Sequence, residues 1–282
     1  MPGTLFVVAT PIGNLEDISA RALRVLREAT VIAAEDTRRT AQLLTRFAIS
    51  TPTTSLHEHN ENRKAAALVE RLQRGDTIAL VSDAGTPTVS DPGLQLIRRA
   101  IDAGIRVEPI PGPSAPLAAL AASGLPTETF TFLGFPPTRA SARAKWFETL
   151  RSAARTVVFF EAPHRIRRTL EDLLACVGDC AIAMGRELTK AHEEMVRGPI
   201  SEVLARMPEP RGEYTVVVDI GHLPELGRTE SPTDQRMNAM FCELTNNGQL
   251  TRREAVKTLA RRFGLSSREA YSAIERGRRS VT

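Results

Sequence analysis

The stretch with the clearest chemical potential is residues 82–93, Ser-Asp-Ala-Gly-Thr-Pro-Thr-Val-Ser-Asp-Pro-Gly. Asp83 and Asp91 offer carboxylates to hydroxyl groups or cations, and Gly85 lets the backbone approach a ligand closely. The apolar run before this stretch predicts a buried strand, and apolar residues at helical spacing follow it. Open α/β sheets bind ligands at the carboxyl ends of their strands. Turn geometry alone also favours Gly, Pro and Asp, so one such loop does not decide between the two interpretations.

Three other predicted strands end in loops of the same kind, rich in Gly, Pro and small side chains. These loops are residues 10–15, 111–115 and 185–190. None contains G-x-G-x-x-G or G-x-x-x-x-G-K-[ST], so neither a dinucleotide fold nor a P-loop is indicated. A cofactor that is held mostly by backbone groups, with little phosphate-binding apparatus, points to an uncharged or zwitterionic adenosine compound.

An acid pair and an arginine after the second predicted strand are candidates for catalysis. Glu35 and Asp36 stand close to Arg38, which combines possible proton acceptors with a cation suited to phosphate. The structural alternative is a capped helix start with a solvated ion pair.

For two further groups of polar residues, the sequence does not decide between a functional and a structural role. His57 and His59 would share one face of an extended segment, where they would contact substrate, or bind a metal if further ligands were present. Lys190, with Arg186 and Glu187, would bind a cofactor carboxylate, orient a hydroxyl group or simply satisfy a strand end.

The composition excludes several classes of protein. The chain has 282 residues, 42% of them hydrophobic, which is ordinary for a globular protein of two domains and an appendage. No run approaches the length of a membrane span, and the first residues predict a strand rather than a secretory signal. Three cysteines are too few for a disulfide framework and fit a reducing cytoplasm, and Cys176 and Cys180 lack the partners that would complete a metal site.

The net charge of +4 lies entirely in the last part of the chain. Residues 230–282 contain ten Lys and Arg against six Asp and Glu, whereas the first 229 residues carry 27 of each sign. A neutral body with a basic tail suggests that the tail contacts a polyanion.

Strands alternate with helices over the first 110 residues, which predicts right-handed βαβ units and a parallel sheet. The predicted strands are residues 4–9, 31–34, 55–57, 77–81 and 107–110, and the predicted helices are 19–29, 40–47, 62–74 and 94–103. Pro111-Gly112-Pro113 then breaks the chain and serves as a hinge between domains.

A second α/β block follows the hinge. Its predicted strands are residues 130–133, 156–161, 181–186 and 214–220, and its predicted helices are 114–122, 140–151, 165–177 and 200–207. Alternating apolar and polar residues in several strands predict a mixed sheet. Residues 223–233 read as a linker, and helices over 250–263 and 267–275 around a Gly turn match helix-turn-helix patterning, or a plain helical hairpin.

Several sequence segments together resemble the tetrapyrrole methylase superfamily, and within it the ribosomal RNA small subunit methyltransferase I branch. The matching segments are V-A-T-P-I-G-N-L-E-D-I-S (8–19), A-A-E-D-T-R-R-T (33–40), H-E-H-N-E (57–61), V-S-D-A-G-T-P-T-V-S-D-P-G (81–93), P-G-P-S-A (111–115), G-L-P (124–126), R-E-L-T-K (186–190) and G-E-Y (212–214). The resemblance covers residues 4 to about 220, and the basic tail resembles the carboxy-terminal appendage of that branch. The first loop lacks the G-x-G-P-G-D-x-x-L-L-T of members that methylate tetrapyrrole rings, which favours the RNA-methylating branch.

The resemblance implies a fold of two α/β domains of the class III methyltransferase type with a small helical appendage. The implied boundaries are residues 1–112, 113–222, a linker at 223–233 and the appendage at 234–282. It also implies S-adenosyl-L-methionine as cofactor, a ribose 2′-oxygen of a cytidine in the decoding region of 16S ribosomal RNA as acceptor, a homodimer, and no membrane partner. The acceptor RNA is expected within the small ribosomal subunit.

Carried onto this chain, the resemblance implies two sets of site residues. The expected catalytic residues are Asp36, Arg38, His57 and Lys190. The expected cofactor-binding residues are Pro11, Gly13, Asp83, Ala84, Gly85, Thr86, Asp91, Ser114, Ala115, Leu133, Arg186, Glu187 and Leu188. No metal is expected.

Two alternatives to RNA methylation stay open. One is a methylase of tetrapyrrole or corrinoid precursors, which the sequence of the first loop disfavours. The other is a DNA-binding ligand sensor without enzymatic activity, which the few side chains suited to base edges in the second tail helix disfavour.

Overall fold

The computed structural model of the chain describes residues 2–150, 153, 155–207, 209–221, 234–246, 251–262 and 266–279. Two compact units divide the chain, one within residues 1–221 and the other within residues 222–282. The predicted linker at 223–233 lies outside the described residues, as does His222.

The first sheet of the first unit is parallel throughout, which confirms the prediction for this part of the chain. Its strands in spatial order are β3 (Thr53–Ser55), β2 (Val31–Ala34), β4 (Ile78–Val81), β1 (Thr4–Val8) and β5 (Arg106–Ile110). Every residue of β2 and β4 is buried because helices cover both faces of the sheet.

Helices pack on opposite faces of the first sheet. They are α1 (Ala20–Glu28), α2 (Thr37–Arg46), α3 (Glu61–Gln73) and α4 (Leu94–Asp102), and a 3₁₀ turn precedes α1 at Leu15–Asp17. Ile32 and Ala34 of β2 pack with α1 and α2 in one cluster, whereas Val31 and Ala33 pack with α3 and α4 in the other. Successive side chains of a strand point to opposite faces, so a continuous apolar strand serves both clusters.

The second sheet is mixed, as predicted. Its strands in spatial order are β6 (Phe130–Phe132), β7 (Thr156–Glu161), β10 (Tyr214–Asp219), β8 (Ala181–Arg186) and β9 (Glu194–Pro199). β6 and β7 are parallel, while the β7–β10, β10–β8 and β8–β9 pairs are antiparallel. The associated helices are α5 (Ala115–Ser123), α6 (Ala140–Leu150), α7 (Pro163–Val177) and α8 (Ile200–Arg206).

The structure corrects two boundaries in the first unit and adds one strand. Helix α2 begins at Thr37 rather than residue 40, because the Asp36 side chain caps it by accepting from the Arg38 backbone N–H at 2.8 Å. Strand β3 lies two residues before the predicted position, since the His57 backbone N–H binds Asn60 Oδ1 at 3.0 Å and turns the chain. Strand β9 was not predicted, because this half-exposed edge strand lacks a clear apolar alternation.

The second unit contains three described helices, one more than predicted. They are α9 (Asp234–Asn246), α10 (Arg252–Arg262) and α11 (Ser267–Arg279). Thr251 with Glu254 and Ser266 with Glu269 form reciprocal capping boxes at the starts of α10 and α11. Met237, Leu259 and Ile274 belong to a small apolar core of this unit's own.

These observations confirm the predicted fold class of α/β sheets with a helical appendage. Within the described residues, no helix has the length and apolar character that crossing a bilayer requires.

Candidate functional site

A cavity of about 370 Å³ lies in the first unit, where loops from both sheets meet. The loops after β1, β4 and β5 line one side of it with Ile12 and residues 84–86, 89–91 and 114–116. The second sheet lines the other side with Phe135, residues 160–163, Leu188, Lys190 and residues 213–215. This size is within the range of roughly 300–1,000 Å³ that small-molecule sites occupy.

Hydrogen bonds hold the loop after β4 against its two neighbours. The Thr10 N–H donates to the Gly85 carbonyl at 2.8 Å, and the Gly85 N–H donates to the Thr10 carbonyl at 3.0 Å. Thr86 Oγ1 donates to the Pro113 carbonyl at 3.2 Å. The three predicted ligand loops of the first sheet therefore form one connected wall.

Gly85 is the point where this wall needs a glycine. Its φ of +80° is strained for a residue with a side chain, and a Cβ here would lie 3.3 Å from Ile12 Cγ2. Ile12 itself lines the cavity. A bare backbone at Gly85 thus leaves the space that a ligand would occupy.

Two of the loops contain backbone strain at residues with side chains. Thr88 and Ser90 have φ values of +72° and +69°, and Glu187 and Thr189 have values of +50° and +65°. Left-handed conformations cost about 1–2 kcal/mol for such residues and persist where the surroundings determine them. The strain therefore marks the loops after β4 and β8 as candidates for function.

Gly13 joins the first loop to the loop after β8. A Cβ at this position would collide with Lys190 Cγ and Thr189 Oγ1. The Asn14 N–H next to it donates to Thr189 Oγ1 at 3.0 Å. Gly13 lies outside the cavity wall, and its contribution is to let the two loops close on each other.

Lys190 reaches the cavity as a charged group held by two carboxylates. Its Nζ lies 2.9 Å from Glu187 Oε1 and 2.9 Å from Glu213 Oε2. Burial by itself lowers the pKa of Lys190, but the hydrogen bonds and charges of the two glutamates outweigh it and raise the pKa above its ordinary value. Lys190 therefore stays protonated at neutral pH and acts as a cation and hydrogen-bond donor, not as a base.

Asp91 supplies a carboxyl to the opposite wall. Burial raises its pKa to about 6, the nearby Glu35 and Asp83 carboxylates add to the rise, and a hydrogen bond from Ser82 opposes it. At neutral pH the group is mostly ionised, yet its charge is poorly compensated. A cationic ligand in the cavity would supply the missing compensation.

Glu161 is the most buried acid of the cavity wall, and both of its carboxylate oxygens have partners within the protein. Its carboxylate lies 2.6 Å from Arg165 Nη2 and 4.0 Å from Arg143 Nη1. It also accepts from Thr169 Oγ1 at 2.5 Å and from the Ala162 N–H at 2.8 Å. This network fixes the corner between β7 and α7, so that residues 162 and 163 form a rigid part of the cavity wall.

Asp36 and Arg38 form an exposed pair away from the cavity wall. Arg38 Nη2 and Nε donate to the two carboxylate oxygens of Asp36 at 2.8 and 3.1 Å. The hydrogen bonds from Arg38 lower the pKa of Asp36 to about 2, so this carboxylate is a weak proton acceptor. The Asp36 N–H donates to Asp83 Oδ1 at 2.9 Å, and Asp83 also pairs with Arg39 at 3.5 Å.

The described histidines and cysteines are not arranged as a metal site. The ring centroids of His57 and His59 are 6.1 Å apart in an edge-on arrangement, and His57 Nε2 contacts the Asn60 amide nitrogen at 2.9 Å. Burial raises the pKa of the Cys180 thiol to about 11. In the part of the chain that the structure describes, no group of His, Cys, Asp and Glu has an arrangement able to hold a metal ion.

The cavity brings together some of the predicted site residues but not all. On its wall are Ala84, Gly85, Thr86, Asp91, Ser114, Ala115, Leu188 and Lys190. Those not on its wall are Pro11, Gly13, Asp36, Arg38, His57, Asp83, Leu133, Arg186 and Glu187. Among the latter, Arg186 pairs with Glu194 at 2.9 Å, and the Leu133 carbonyl accepts from Trp146 Nε1 at 3.4 Å.

The wall also contains residues that were not predicted as site residues. Phe135, Phe160, Glu161, Tyr214 and Thr215 all come from the second sheet or the loops beside it. Two signals were present in the sequence. Tyr214 belongs to the G-E-Y segment that carries part of the family resemblance, and Glu161 ends a predicted strand.

Comparison with known proteins adds a family and close relatives. A sequence model of the tetrapyrrole (corrin/porphyrin) methylases matches residues 4–204. A relative from Halalkalibacterium halodurans, named ribosomal RNA small subunit methyltransferase I, is 43% identical over 96% of this chain and 94% of its own length. A protein of the same name from Pseudomonas aeruginosa is 47% identical over 79% of this chain and 81% of its own length.

The fold resembles solved structures as well. A uroporphyrin-III C-methyltransferase from Thermus thermophilus, solved in complex with S-adenyl homocysteine, superposes with a TM-score of 0.55. The alignment covers 77% of this chain and 98% of that one, at 17% identity. At this identity the likeness establishes the shared fold.

Proposed function

The chain belongs to the tetrapyrrole methylase family, and we propose that it uses S-adenosyl-L-methionine to methylate ribosomal RNA of the small subunit. The observation that carries the proposal is the high identity, over nearly the whole chain, to relatives named for that activity. The cavity at the meeting point of the two sheets supports it, because its wall is formed by the loops that carry the family resemblance.

The residues of the cavity fit this cofactor. Ala84, Gly85 and Ala115 offer backbone groups and small side chains to an adenosine, as a site without phosphate recognition requires. Thr86 and Ser114 offer hydroxyl groups to its polar atoms. The uncompensated carboxylate of Asp91 suits the positive charge of a sulfonium compound.

We propose the ribose 2′-oxygen of a cytidine in the decoding region of 16S ribosomal RNA as the acceptor. S-adenosyl-L-methionine supplies an electrophilic methyl group with a good leaving group, so positioning of the two reactants accounts for most of the rate. Lys190, held by Glu187 and Glu213 at the cavity, orients the acceptor by hydrogen bonding and charge. Asp36, Arg38 and His57 lie outside the cavity wall, and we assign them to binding of the RNA around the reacting nucleotide.

The protein should act as a homodimer in the cytoplasm. Exposed apolar side chains on two helices of the first unit support a second copy as the partner of this body. They are Leu94, Ile101 and Leu117. A mass from light scattering that corresponds to one chain at micromolar concentration would contradict the dimer.

The reaction is tested by mass spectrometry of nucleosides. Small subunits and naked 16S RNA from cells lacking this protein are incubated with the purified full chain and S-adenosyl-L-methionine. We expect 2′-O-methylcytidine in the RNA, and its absence with the Gly85→Val variant as a control. Methylation of a base would exclude the 2′-oxygen, and methylation of a uroporphyrinogen acceptor without any in RNA would favour the tetrapyrrole alternative.

A further inference from the structure

The second unit has a large concave site of its own. Its three described helices line a groove of about 780 Å³, to which α9 contributes Phe241, α10 contributes Val256 and α11 contributes Tyr271. Tyr271 is 56% exposed, so its ring is available to a ligand although it stands beside the core of this unit.

Five cationic side chains surround this groove. They are Arg252, Arg253, Lys257, Arg268 and Arg278. Arg278 lies 4.0 Å from Glu275. Glu275 is the one acidic residue among the described residues that line the groove. Among the described side chains, none forms an ion pair with Arg252, Arg253 or Arg268, so the groove as a whole is strongly positive.

A structural role for these cations is poorly supported. The core of the second unit consists of Met237, Leu259, Ala260 and the apolar residues of α11. Phe241, Val256 and Ile274 contribute both to this apolar cluster and to the groove wall, whereas the cations surround the groove outside the cluster. An ion pair that joins two helices of this unit lies outside the groove wall, between Arg276 and Asp234 at 2.8 Å. Arg252, Arg253 and Arg268 therefore repel one another without an ion-pair partner among the described side chains, and a polyanion would compensate their charge.

From these features we propose that the groove binds an unpaired nucleotide of RNA, with its base stacked on Tyr271 and the adjoining phosphates on Arg252, Arg253 and Arg268. Sequence-tolerant RNA sites combine an aromatic ring for the base with cations along the backbone, and this groove has both. The inference rests on the proposed function for the choice of RNA as the polyanion.

The shape of the site decides against duplex DNA. A helix-turn-helix reads a duplex by inserting a protruding helix into the major groove. Here Arg252, Arg268 and Tyr271 line a concavity instead, a shape that suits a single extruded base better than the convex surface that enters a duplex groove. A base that is already unpaired enters it without the cost of breaking a base pair.

The ring is tested with the full-length protein and a short single-stranded RNA that carries one 2-aminopurine, whose fluorescence falls on stacking. Tyr271→Phe should retain the affinity and the quenching. Tyr271→Leu, which keeps apolar surface but no ring, should lower the affinity about tenfold and abolish the quenching. Equal quenching in wild type and Tyr271→Leu would overturn the assignment.

The cations are tested by the salt dependence of the same binding. Replacing Arg252, Arg253 and Arg268 with Gln should flatten the logarithmic salt slope by about 2, since each phosphate contact with a single strand contributes roughly 0.7. A matched control replaces three exposed arginines of the first unit, Arg74, Arg98 and Arg99, with Gln. An equal change of slope in both triple variants would contradict a localised site. If the wild-type protein bound duplex DNA more tightly than the single-stranded RNA, the ligand of the groove would be DNA and the proposal would be wrong.

The outcomes separate this inference from the proposed function. Methylation of ribosomal RNA with unchanged RNA affinity in Tyr271→Leu would overturn the groove site alone. Ring-dependent RNA binding without methylation of any ribosomal RNA would overturn the proposed function and leave the groove site standing.

Discussion

The two sheets of the first unit contribute to one cavity in different ways. The first sheet presents loops at the carboxyl ends of β1, β4 and β5, which all lie at one edge because the strands are parallel. The second sheet presents the ends of β7 and β8 together with the start of β10, because β10 runs antiparallel to both. Tyr214 at the start of β10 is thus opposite Glu161 at the end of β7.

The difference between the two sheets shows when the residues of a binding cavity can be predicted from the ends of predicted strands. In a parallel sheet each ligand loop follows its strand in the sequence, so a buried apolar run identifies the loop. In the second sheet, Glu213, Tyr214 and Thr215 lie at the start of an antiparallel strand, and only the pairing of β10 with β7 and β8 brings them to the site. The two sides also differ in charge, with the poorly compensated Asp91 on the first and the paired Lys190 and Glu161 on the second.

The largest expected effect tests the buried ion pair on the second side. Glu161→Ala should lower the free energy of unfolding by about 3–5 kcal/mol, because it removes the buried carboxylate that pairs with Arg165, whereas Arg143 keeps its closer pair with Asp172 at 2.9 Å. The control is Glu28→Ala, which removes the exposed ion pair between Glu28 and Arg24, two residues with the same sequence spacing as Glu161 and Arg165. This variant should lower the free energy of unfolding by less than about 1 kcal/mol. Urea unfolding of both variants measures the difference, and equal losses would show that Glu161 is not a fixed part of the wall.

The next effect tests the first side. Gly85→Val should weaken binding of S-adenosyl-L-methionine by at least about 100-fold in calorimetry, which corresponds to about 2.7 kcal/mol, because a side chain would stand beside Ile12 at the cavity. Gly104→Val is the matched control, since Gly104 has a similar φ of +70° and nothing within 4 Å of an added Cβ. Both variants bear the backbone strain, so a similar loss of affinity in both would place the cofactor elsewhere.

A smaller effect tests whether Lys190 acts on the acceptor or on the cofactor. Lys190→Gln should lower kcat for RNA methylation about tenfold or more and leave the affinity for S-adenosyl-L-methionine within about threefold. Arg186→Gln removes the same charge from the same segment but breaks a pair with Glu194 outside the cavity wall, so kcat should change little. A tenfold loss of cofactor affinity in Lys190→Gln would reassign the residue to cofactor binding.

The smallest effect tests the carboxyl of the first side through its pH dependence. The pKa of Asp91 in the folded chain is about 6, above its ordinary value of 3.8, so stability is lost as the pH rises through 6. Asp91→Asn should therefore stabilise the cofactor-free protein at pH 7.5 by about 1–2 kcal/mol, after allowance for partial solvation, and give little gain near pH 4. Thermal unfolding at the two pH values measures this, with the exposed Glu148→Gln as control. An equal gain in stability at both pH values would show that the ionisation of Asp91 is not the reason for it.

The sequence by itself determined the parallel first sheet, the mixed second sheet and the cavity loops of the first sheet. Local patterns carry this information, since continuous apolar runs such as Ile78–Val81 and capping side chains such as Asp36 act over a few residues. It also indicated the two helices that start at the capping boxes of the second unit, and the basic character of that unit.

Only the tertiary structure decided which polar residues share the cavity. Lys190 is placed there by Glu187 and by Glu213, 23 residues away, and Gly13 proves to be a contact between loops rather than part of the wall. Asp36 and His57 were predicted from residue type and from the segments that carry the family resemblance, and their partners Arg38 and Asn60 lie beside them in the sequence but away from the cavity wall. The type of a residue determines which chemistry its side chain can perform. Which side chains meet is determined by the pairing of strands that lie far apart in the sequence.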